Sequence, residues 1–529
     1  MRPVLALILL GFAGCGPGGG SPEDAIDVCE EAARHVESCT GVYVTPPLCE
    51  EGAATQAEGV LGQDCSAIAA SAGGSEGKAD GALCNWFGRG CSSDEPIFDG
   101  PACASAADCA EGSSCQEGHC FAGLGSPEAT AMLDALTHTA ARGGNAVTPL
   151  ITAKEAREEW LRLIGGATRS IHVVTLLIED NTTGHAVVDA LIAAAARGVE
   201  IRVIVDSLSE YAAGDFDLVE KLAEGGVEVI AFNPVVEWSI LRQVLDLGGN
   251  QRIHEKILVV DGEIAIAGGR NLGDHYLGDG KWRDRDVVVS GPAVVDLQHA
   301  FLTDWDEFSA WERAALCPLR RFGVFCRADA SPDLRGDPAY YPAAAPAGDE
   351  TVRVVYSNPR RQPKPDGYVT TLALIRSARR SIKITNAYFV PPARLRRHLR
   401  AAAARGVDVQ VVTNSQTSND QRSMWWSAIN HYEELIKGGV VICEWRGEQT
   451  VHAKAMIVDD QVAVVESYNL DPRSAMTNSE LLVLIEGSAV GPLARAFDED
   501  RSFCDVAGYR FSWQDRMMAA AHRLAEPLF

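Results

Sequence analysis

Two short stretches of the chain carry the same three kinds of side chain in the same order: a histidine, a lysine and an asparagine. The first reads RIHEKILVVDGEIAIAGGRN and the second VHAKAMIVDDQVAVVESYN. In chain order the six residues are His254, Lys256, Asn271, His452, Lys454 and Asn469. Both stretches are otherwise largely apolar, and buried strands seldom carry unpaired histidine and lysine. The repetition therefore indicates a chemical role.

Histidine, lysine and asparagine together suit a tetrahedral, negatively charged group. Lysine supplies a compact cation, asparagine supplies amide donors, and histidine attacks or moves protons. Two such sets facing each other predict chemistry on one phosphodiester: one histidine attacks phosphorus, and the other protonates the leaving oxygen and then acts as a base. The lysines and asparagines would stabilise the charge without a metal. We predict His254 as the nucleophile and His452 as the acid and base, with the opposite order left open by the residues alone.

Each stretch is predicted to form a β-hairpin that returns the asparagine beside the histidine and lysine. Asp261–Gly262 favours a two-residue turn, which places His254 opposite Gly269, and Asp459–Asp460 is the turn of the second hairpin. By strand parity the first residue of each turn faces away from the histidine. The two predicted turn or scaffold residues are Asp261 and Asp459.

From about residue 150 onward, helical and strand patterns alternate, which is typical of an α/β fold. AKEAREEWLRLIGGA is predicted to be a helix, SIHVVTLLIE a strand, HAVVDALIAAAARG a helix and VEIRVIVDS a strand. The pattern then repeats, since AAAARGVEIRVIVDS at Ala193 corresponds to AAAARGVDVQVVTNS at Ala401. An internal duplication is the simplest explanation.

Composition and the duplication divide the chain into six segments. We predict a signal peptide over 1–15, an acidic cysteine-rich module over 16–125, a linker over 126–148, a first α/β domain over 149–316, a connector over 317–350 and a second α/β domain over 351–529. Cys317 and Cys326 in the connector are a candidate disulfide. Cys443 and Cys504 either form a bond or remain buried thiols.

The N-terminal residues predict export. Arg2 precedes a short apolar run ending in GFAGC, which resembles the lipid-attachment signal of bacterial lipoproteins. We expect a lipoprotein held at a membrane through Cys15, at the periplasmic face or the outer membrane, and plain secretion is the alternative. Ten of the 15 cysteines lie between Cys29 and Cys120, a density typical of exported disulfide-rich modules. A zinc site competes with disulfides there, but the spacings lack paired C-x2-C units. The sequence does not identify a protein partner for this module.

The net charge of the chain is −25, and residues 1–150 hold 20 acidic and 5 basic residues. Neither this part nor the rest offers the broad basic surface that nucleic-acid binding usually needs, so nucleic acid is an unlikely partner. No run of about 18 to 20 apolar residues is present, so no transmembrane helix is expected.

The pattern H-x-K-x4-D followed by [GS]-x-N, present twice, resembles the phospholipase D superfamily. NAYFVPP, SYNLDPRSAMTNSE and RGVDV resemble its bacterial cardiolipin synthase branch most closely. The resemblance covers about 150–529 and implies two phospholipase D-like α/β sandwich domains related by pseudo-twofold symmetry, with one site between them. It also implies a phospholipid substrate, an alcohol or water acceptor, a covalent phosphohistidine intermediate and no cofactor. Glu466 replaces a glycine usual in the family, and strand parity predicts that it points away from the site.

The resemblance further implies a carboxylate against each histidine, which would orient the ring and stabilise its charged form. Glu480 follows His452 by 28 residues and fits this role for the second half. Asp286, within WRDRDVVV, is the predicted counterpart for His254.

Three functions compete at this point. The favoured one is a phosphatidyltransferase or phospholipase D acting on phospholipid phosphodiesters. The second is a nuclease or another phosphodiesterase of the same superfamily, and the third is a surface interaction protein with an inactive core. Trp425 and Trp426 either touch a bilayer or, as we favour, pack inside the protein.

Overall fold

The structure is a computed structural model, and it describes residues 103–109, 113–116, 118–207, 216–232, 251–278, 282–315, 334–359, 365–447 and 449–523. All of them belong to one unit, Ile97–Phe529. The predicted signal peptide with Cys15, most of the cysteine-rich module and the candidate Cys317–Cys326 disulfide lie outside the described residues.

Two α/β halves follow one another along the chain. They are preceded by β1 (Ser113–Gln116), β2 (His119–Ala122) and α1 (Pro127–Thr137). The first half contains β3 (Arg142–Leu150), α2 (Ala153–Gly166), β4 (Ser170–Thr175), α3 (Thr182–Ala196), β5 (Glu200–Asp206), α4 (Phe216–Glu224), β6 (Glu228–Phe232), β7 (Ile257–Val260), β8 (Ile264–Gly268), α5 (Asp274–Leu277), β9 (Trp282–Arg283), β10 (Asp286–Ser290) and α6 (Val294–Ala315). The second contains β11 (Glu350–Ser357), α7 (Asp366–Ser377), β12 (Ser381–Asn386), α8 (Ala393–Ala404), β13 (Asp408–Asn414), α9 (Arg422–Lys437), β14 (Val441–Trp445), β15 (Thr450–Val451), β16 (Lys454–Val458), β17 (Val462–Glu466), α10 (Pro472–Met476), β18 (Glu480–Glu486), α11 (Val490–Ser502), β19 (Cys504–Val506) and α12 (Trp513–Arg523).

The strand order is the same in both halves. It is β6-β5-β4-β7-β8-β10-β3 in the first and β14-β13-β12-β16-β17-β18-β11 in the second, with β19 added beside β14. β3 and β11 pair in antiparallel fashion and join the two half-sheets into one sheet of fifteen strands. Equivalent strands therefore lie at equivalent distances from the β3–β11 contact, which confirms two α/β domains related by pseudo-twofold symmetry.

Local sequence signals explain where the elements begin and end. α2 starts at a capping box, in which the Thr152 side chain accepts from the Glu155 N–H and the Glu155 carboxylate accepts from the Thr152 N–H. α3 starts at Asn181, whose side chain accepts from the Gly184 N–H. The chain leaves α3 through Gly198, where a φ of 93° favours glycine. The helices and strands predicted from the first half of the duplication are confirmed.

Three apolar cores hold the layers together. One lies between the first half-sheet and α2, α3 and α4, and another between the second half-sheet and α7, α8 and α9. The third is shared, since it combines residues of both half-sheets with α6 and α11. Because the shared core includes Ile257 and Ile457 from the strands that follow the two histidines, it fixes the two hairpins relative to each other.

The segment predicted as a linker, 126–148, is folded instead. It contains α1 and most of β3, the central strand that pairs with both β10 and β11. The Gly143–Gly144 pair suggested a spacer, but Gly144 allows a φ of 83° beside Pro346 within the strand, where a side chain would be crowded.

Disulfides hold the described part of the cysteine-rich module and the far edge of the sheet. Cys103–Cys115 and Cys109–Cys120 close the β1–β2 hairpin, and Cys443–Cys504 links β14 to β19. Trp425 is buried and donates to Glu444, as the packing interpretation expected. Among the described helices, none has the length and apolar character needed to cross a bilayer.

Candidate active site

The two hairpins have nearly identical turns. Asp261 and Gly262 adopt φ values of 56° and 68°, and the equivalent Asp459 and Asp460 adopt 56° and 54°. Aspartate and glycine tolerate this left-handed conformation, which two-residue hairpin turns require. Glu263 donates its backbone N–H to the Val260 carbonyl over 3.0 Å and closes the turn.

The register beyond the turn differs from the prediction by one residue. Val260 pairs with Ile264, so Glu263 is an extra residue beyond the turn. It moves the partner of each residue in the strand before the turn by one position. His254 is therefore not opposite Gly269 as predicted. Lys256 lies opposite Gly268, and its carbonyl accepts from the Gly268 N–H over 3.3 Å. In the second half the same register places Lys454 opposite Glu466.

The motif aspartates lie at the turn end of the hairpins, away from the histidines. Each carboxylate accepts from three consecutive backbone N–H groups at the start of the neighbouring strand. These donors are Thr168, Arg169 and Ser170 for Asp261, and Arg379, Arg380 and Ser381 for Asp459. This contact clamps each hairpin to the strand beside it.

Each histidine contacts a carboxylate from the other half of the chain. Nδ1 of His254 lies 2.9 Å from both carboxylate oxygens of Glu480, and Nδ1 of His452 lies 2.6 Å from Asp284 Oδ2. Backbone hydrogen bonds also connect the two halves at these positions. His254 donates its N–H to the Ser479 carbonyl, and His452 donates its N–H to the Arg283 carbonyl. The two half-sites are therefore built jointly, each from both halves.

This crossing corrects two predictions. Glu480 was expected against His452 but contacts His254. Asp286 was expected against His254, and instead it forms a buried ion pair with Arg270 at 3.0 Å. The reason is register, since Asp286 is already inside β10 and opposite Gly268, whereas Asp284 lies before the strand, where the chain reaches the other half. A Cβ at Gly268 would come 2.2 Å from Asp286 Oδ1, so this pairing also explains that glycine.

The second half replaces this ion pair. In the second half, Tyr468 stands at the position of Arg270 and Leu482 at the position of Asp286. Leu482 lies opposite Glu466, whereas Asp286 lies opposite Gly268. Because residues directly opposite share a face of the sheet, Glu466 lies on the face of Lys454, and the prediction that it points away is wrong.

Burial keeps both imidazoles uncharged. Burial lowers the pKa of His254 to about 4 against the opposing effect of Glu480. Burial, together with Lys454, lowers the pKa of His452 to about 3. With Nδ1–H directed at a carboxylate, each ring keeps an unprotonated Nε2, which is the nitrogen able to attack or accept a proton.

The lysines and carboxylates of the site form one electrostatic group. Burial lowers the pKa of Lys256 to about 7 and that of Lys454 to about 8. Burial alone would raise the pKa values of Asp284 and Glu480, but the nearby histidines and lysines outweigh it and lower both. Lys454 lies 2.8 Å from both ring nitrogens of His452. The site thus pairs ionised carboxylates with cations whose charge depends on pH near neutrality.

Both asparagines are buried beside the histidines and retain unused hydrogen-bonding capacity. Asn271 accepts from the Leu176 N–H over 3.3 Å, and among the described residues its side-chain nitrogen has no partner. Asn469 occupies the equivalent place, and its side-chain oxygen has no partner within the same residues. The Asn271 nitrogen is therefore a donor available to a bound anion, whereas the unpartnered atom of Asn469 is an acceptor.

Sequence reasoning missed several side chains that complete the site. Ser467 donates to Glu480 Oε2 over 2.5 Å and so fixes the carboxylate that holds His254. Three aromatic rings surround His452, with centroids 5.1 Å, 5.2 Å and 6.4 Å from the imidazole, in Tyr276, Trp282 and Tyr388. Trp282 and Asp284 both lie in the WRDRDVVV stretch and Tyr388 in NAYFVPP, so those motifs contained the signal.

Potential metal ligands gather elsewhere. Within the described ranges, one group of ligand-type side chains lies close enough to hold an ion: Cys103, Cys109 and Cys120. All three are engaged in the disulfides of the β1–β2 hairpin and its loop, which explains their proximity. The prediction that the reaction uses no cofactor stays a prediction.

Fold, duplication and paired histidine sites define a two-domain phospholipase D-like enzyme. A family model described as "Cardiolipin synthase, PLD-like domain" matches residues 160–305 and 371–501. The chain belongs to the phospholipase D superfamily, in the group of cardiolipin synthase-type PLD-like domains.

Relatives agree with this family. Cardiolipin synthase 1 of Bacillus cereus is 31% identical over 395 residues, which cover 72% of each chain. Cardiolipin synthase A of Pseudomonas putida is 31% identical over 344 residues, or 64% of each chain. The crystal structure of phosphatidylserine synthase from Haemophilus influenzae Rd KW20 covers 76% of this chain and 99% of its own, with a TM-score of 0.59 and 16% identity. That last likeness concerns the fold.

Proposed function

We propose that the protein is a phosphatidyltransferase of the cardiolipin synthase type, which acts on phospholipid phosphodiesters through a phosphohistidine intermediate. The crossed pairing of His254 with Glu480 and of His452 with Asp284 carries the proposal. It gives one site two oriented imidazoles, as a double displacement at phosphorus requires. Sequence similarity to cardiolipin synthases supports the phospholipid substrate.

In the first step, Nε2 of His254 attacks phosphorus and the bond to the leaving alkoxide breaks. His452 donates its proton to that oxygen, so the first alcohol departs neutral. His452 has a low pKa in the empty site because it is buried beside Lys454. A bound phosphodiester anion offsets the charge of Lys454 and, with Asp284, allows His452 to take up the proton it donates.

In the second step, His452 removes the proton of an acceptor alcohol, whose oxygen attacks the phosphohistidine and releases Nε2 of His254. Lys256, Lys454, Asn271 and Asn469 stabilise the charge on the non-bridging oxygens in both steps.

The two lysines supply positive charge that many phosphoryl transfers draw from a metal, so we expect turnover in the presence of a chelator. Sequence similarity to cardiolipin synthases supports an alcohol rather than water as the acceptor.

Product analysis tests this function. Purified protein is offered phosphatidylglycerol with a chelator, and separately offered DNA, and lipid products are identified by mass spectrometry. We expect a diphosphatidyl product, its loss in His254→Ala and His452→Ala, and little change in His185→Ala, a surface histidine paired with Asp180. Hydrolysis to phosphatidic acid alone would make the protein a phospholipase D, and turnover of DNA alone would overturn the lipid assignment.

Trapping the intermediate tests the roles of the histidines. With labelled phospholipid quenched during turnover, the label should lie on His254, and His452→Ala should slow both formation and release of this adduct, because the first step then lacks its acid and the second its base. Label on His452 in the His254→Ala protein would reverse the two roles.

We also propose that the protein is exported and lipid-anchored at Cys15. The three disulfides among the described residues support an oxidising compartment. Mass spectrometry of the N-terminus of protein from bacterial membranes should find a lipidated Cys15, and a high-salt wash should release Cys15→Ala from the membrane fraction but not the parent.

A further inference from the structure

Five large apolar side chains near the C-terminus are exposed. They are Phe503, Val506, Trp513, Met517 and Met518. Within the described residues, these five are the large apolar side chains that count as exposed. Trp513 is the most exposed of them, with 67% of its surface accessible. Trp513 and Met517 are four residues apart on α12, so they lie on one face of the helix. We call these five residues the C-terminal apolar patch.

The core does not account for this patch, because α12 uses a different face to pack. Ala519 is buried, and Asn430 of α9 donates to its carbonyl over 2.9 Å. His522 contacts Trp426 of α9 at a ring distance of 5.1 Å. The face that carries Trp513 and Met517 is left outward, which is costly in water unless something covers it.

The patch lies beside the loop that leads from the surface to His452. Gln416 of this loop donates to Asp515 of α12 over 3.3 Å, next to Trp513. Thr450, two residues before His452, donates to the Ser418 carbonyl of the same loop over 2.8 Å. On the other side, Phe503 contacts Trp445, whose carbonyl accepts from the Ser418 hydroxyl.

The segment 501–523, which carries the patch, differs in the sign of its net charge from the whole chain. Residues 501–523 hold four arginines and two aspartates, a net charge of +2, in a chain of net charge −25. Arg510, Arg516 and Arg523 of this segment are exposed. Exposed tryptophan and methionine next to arginine match the interface of a bilayer that contains anionic lipids.

We propose that the C-terminal apolar patch docks on an anionic phospholipid bilayer, with Trp513 and Met517 entering the headgroup region. The loop at Gln416 then faces the membrane, and a lipid headgroup reaches His452 over a short path. This role rests on the proposed function, because a phospholipid substrate gives the site a reason to open toward a membrane.

Vesicle binding tests the docking surface without the lipid anchor. The full chain carrying Cys15→Ala is mixed with vesicles of phosphatidylcholine and phosphatidylglycerol, and the bound fraction is measured by flotation. We expect the further double change Trp513→Ser/Met517→Ser to weaken partitioning about a hundredfold, since each side chain contributes about 1.4 kcal/mol of apolar burial, or about one factor of ten. Gln514→Ala on the same helix is the matched control and should bind like its parent.

Further measurements test whether the binding depends on charge, whether the double variant is still folded and active, and whether the patch instead joins two copies of the chain. Pure phosphatidylcholine vesicles should bind the parent more weakly because they carry no net negative charge for the arginines, and high salt should weaken binding because it screens that attraction. The double variant should keep its activity on phospholipid dispersed in detergent and its unfolding midpoint. Unchanged vesicle binding in the double variant overturns the proposal, as does a patch that only joins two copies, seen as a dimeric parent that becomes monomeric on substitution. If the parent binds vesicles but turns over no phospholipid, the proposed function fails while the docking surface stands.

Discussion

Asp284 and Asp286 lie two residues apart, but their carboxylates have different partners. Asp284 holds Nδ1 of His452, so we expect Asp284→Asn to lower kcat about 10⁴-fold, the loss seen when a triad carboxylate no longer fixes the imidazole tautomer. Asp286 neutralises the buried Arg270, so Asp286→Asn should instead lower the free energy of unfolding by about 3 kcal/mol. Transfer assays and denaturant unfolding on both variants separate the two roles, and equal losses of kcat would refute the assignment.

The titration of the site predicts a bell-shaped dependence of kcat/KM on pH. His254 must be neutral to attack, and its pKa of about 4 sets the acid limb, with activity lost as pH falls through that value. Lys256 and Lys454 must be charged to bind the phosphodiester, and burial lowers their pKa values to about 7 and about 8. Their charge is present below these values and lost above them, so the alkaline limb should begin between pH 7 and 8. A profile that stays flat to pH 10 would contradict this electrostatic description.

Glu466 faces Lys454 without a hydrogen-bond partner for its Oε2 among the described residues. Against the effect of Lys454, burial and the nearby Glu480 raise its pKa well above the usual value, which favours the protonated carboxyl. We therefore expect Glu466→Gln, which has the same charge and shape, to change kcat/KM by less than about twofold. Glu466→Lys should abolish activity, since it buries a second cation opposite Lys454. A large loss in Glu466→Gln would mean that the carboxylate is ionised and supports Lys454.

The sequence was sufficient to select the histidines, lysines and asparagines, because their types and spacing occur twice. It was insufficient to separate Asp284 from Asp286, since WRDRDVVV offers both and only strand register decides between them. One signal was available: Asp284 follows His254 by 30 residues, closer than Asp286 to the 28 that separate Glu480 from His452.

At the scale of the hairpin, Asp459 stabilises the second half rather than the chemistry. Its carboxylate accepts from three backbone N–H groups, whereas the neighbouring Asp460 only pairs with Lys383 at the surface. Both residues have positive φ, which asparagine also tolerates. We expect Asp459→Asn to lower the free energy of unfolding by about 2 kcal/mol, because an amide cannot accept all three bonds. Asp460→Asn is the matched control and should have little effect, and both should keep near-normal kcat.

The element order was predictable from the repeated helix and strand patterns, but the hairpin register was not. The Asp-Gly signal identifies the turn correctly and does not reveal that Glu263 is an extra residue beyond it. A shift of one residue exchanges the faces of a strand, which is why Glu466 was assigned to the wrong face. Likewise, the glycines near residue 143 suggested a linker, because local composition does not show that β3 pairs with strands of both halves.

For the whole molecule, the duplication predicts two equivalent half-sites but not that they exchange carboxylates. Spacing within one copy relates each histidine to the carboxylate of its own half, whereas the fold brings together segments about 170 to 230 residues apart. The parallel pairing of β9 with β15, and the equivalent contact of Ile253 with Ser479, produce this exchange. Neither half is therefore expected to form a working site alone.

Asp500 of α11 anchors this exchange. Its buried carboxylate accepts from Arg283 and Arg285 of the first half, at 2.7 Å and 2.5 Å, and Asp284 lies between these two arginines. The anchor thus holds, from the second half, the segment that presents Asp284 to His452. Burial without this partner would leave two arginines near each other with uncompensated charge.

We expect Asp500→Asn to lower the free energy of unfolding by about 3 kcal/mol and also to lower kcat, because the loss of the anchor lets Asp284 move away from His452. Glu499→Gln is the matched control, since Glu499 is exposed and lies 3.6 Å from Arg283, and it should change neither quantity. Unfolding followed by denaturant and kcat measured well below the unfolding midpoint separate the two effects. In the phosphohistidine assay, Asp500→Asn should slow both formation and release of the intermediate, since His452 is the acid of the first step and the base of the second. A variant that loses stability but releases the intermediate at the normal rate would show that Asp500 holds the halves together without positioning Asp284.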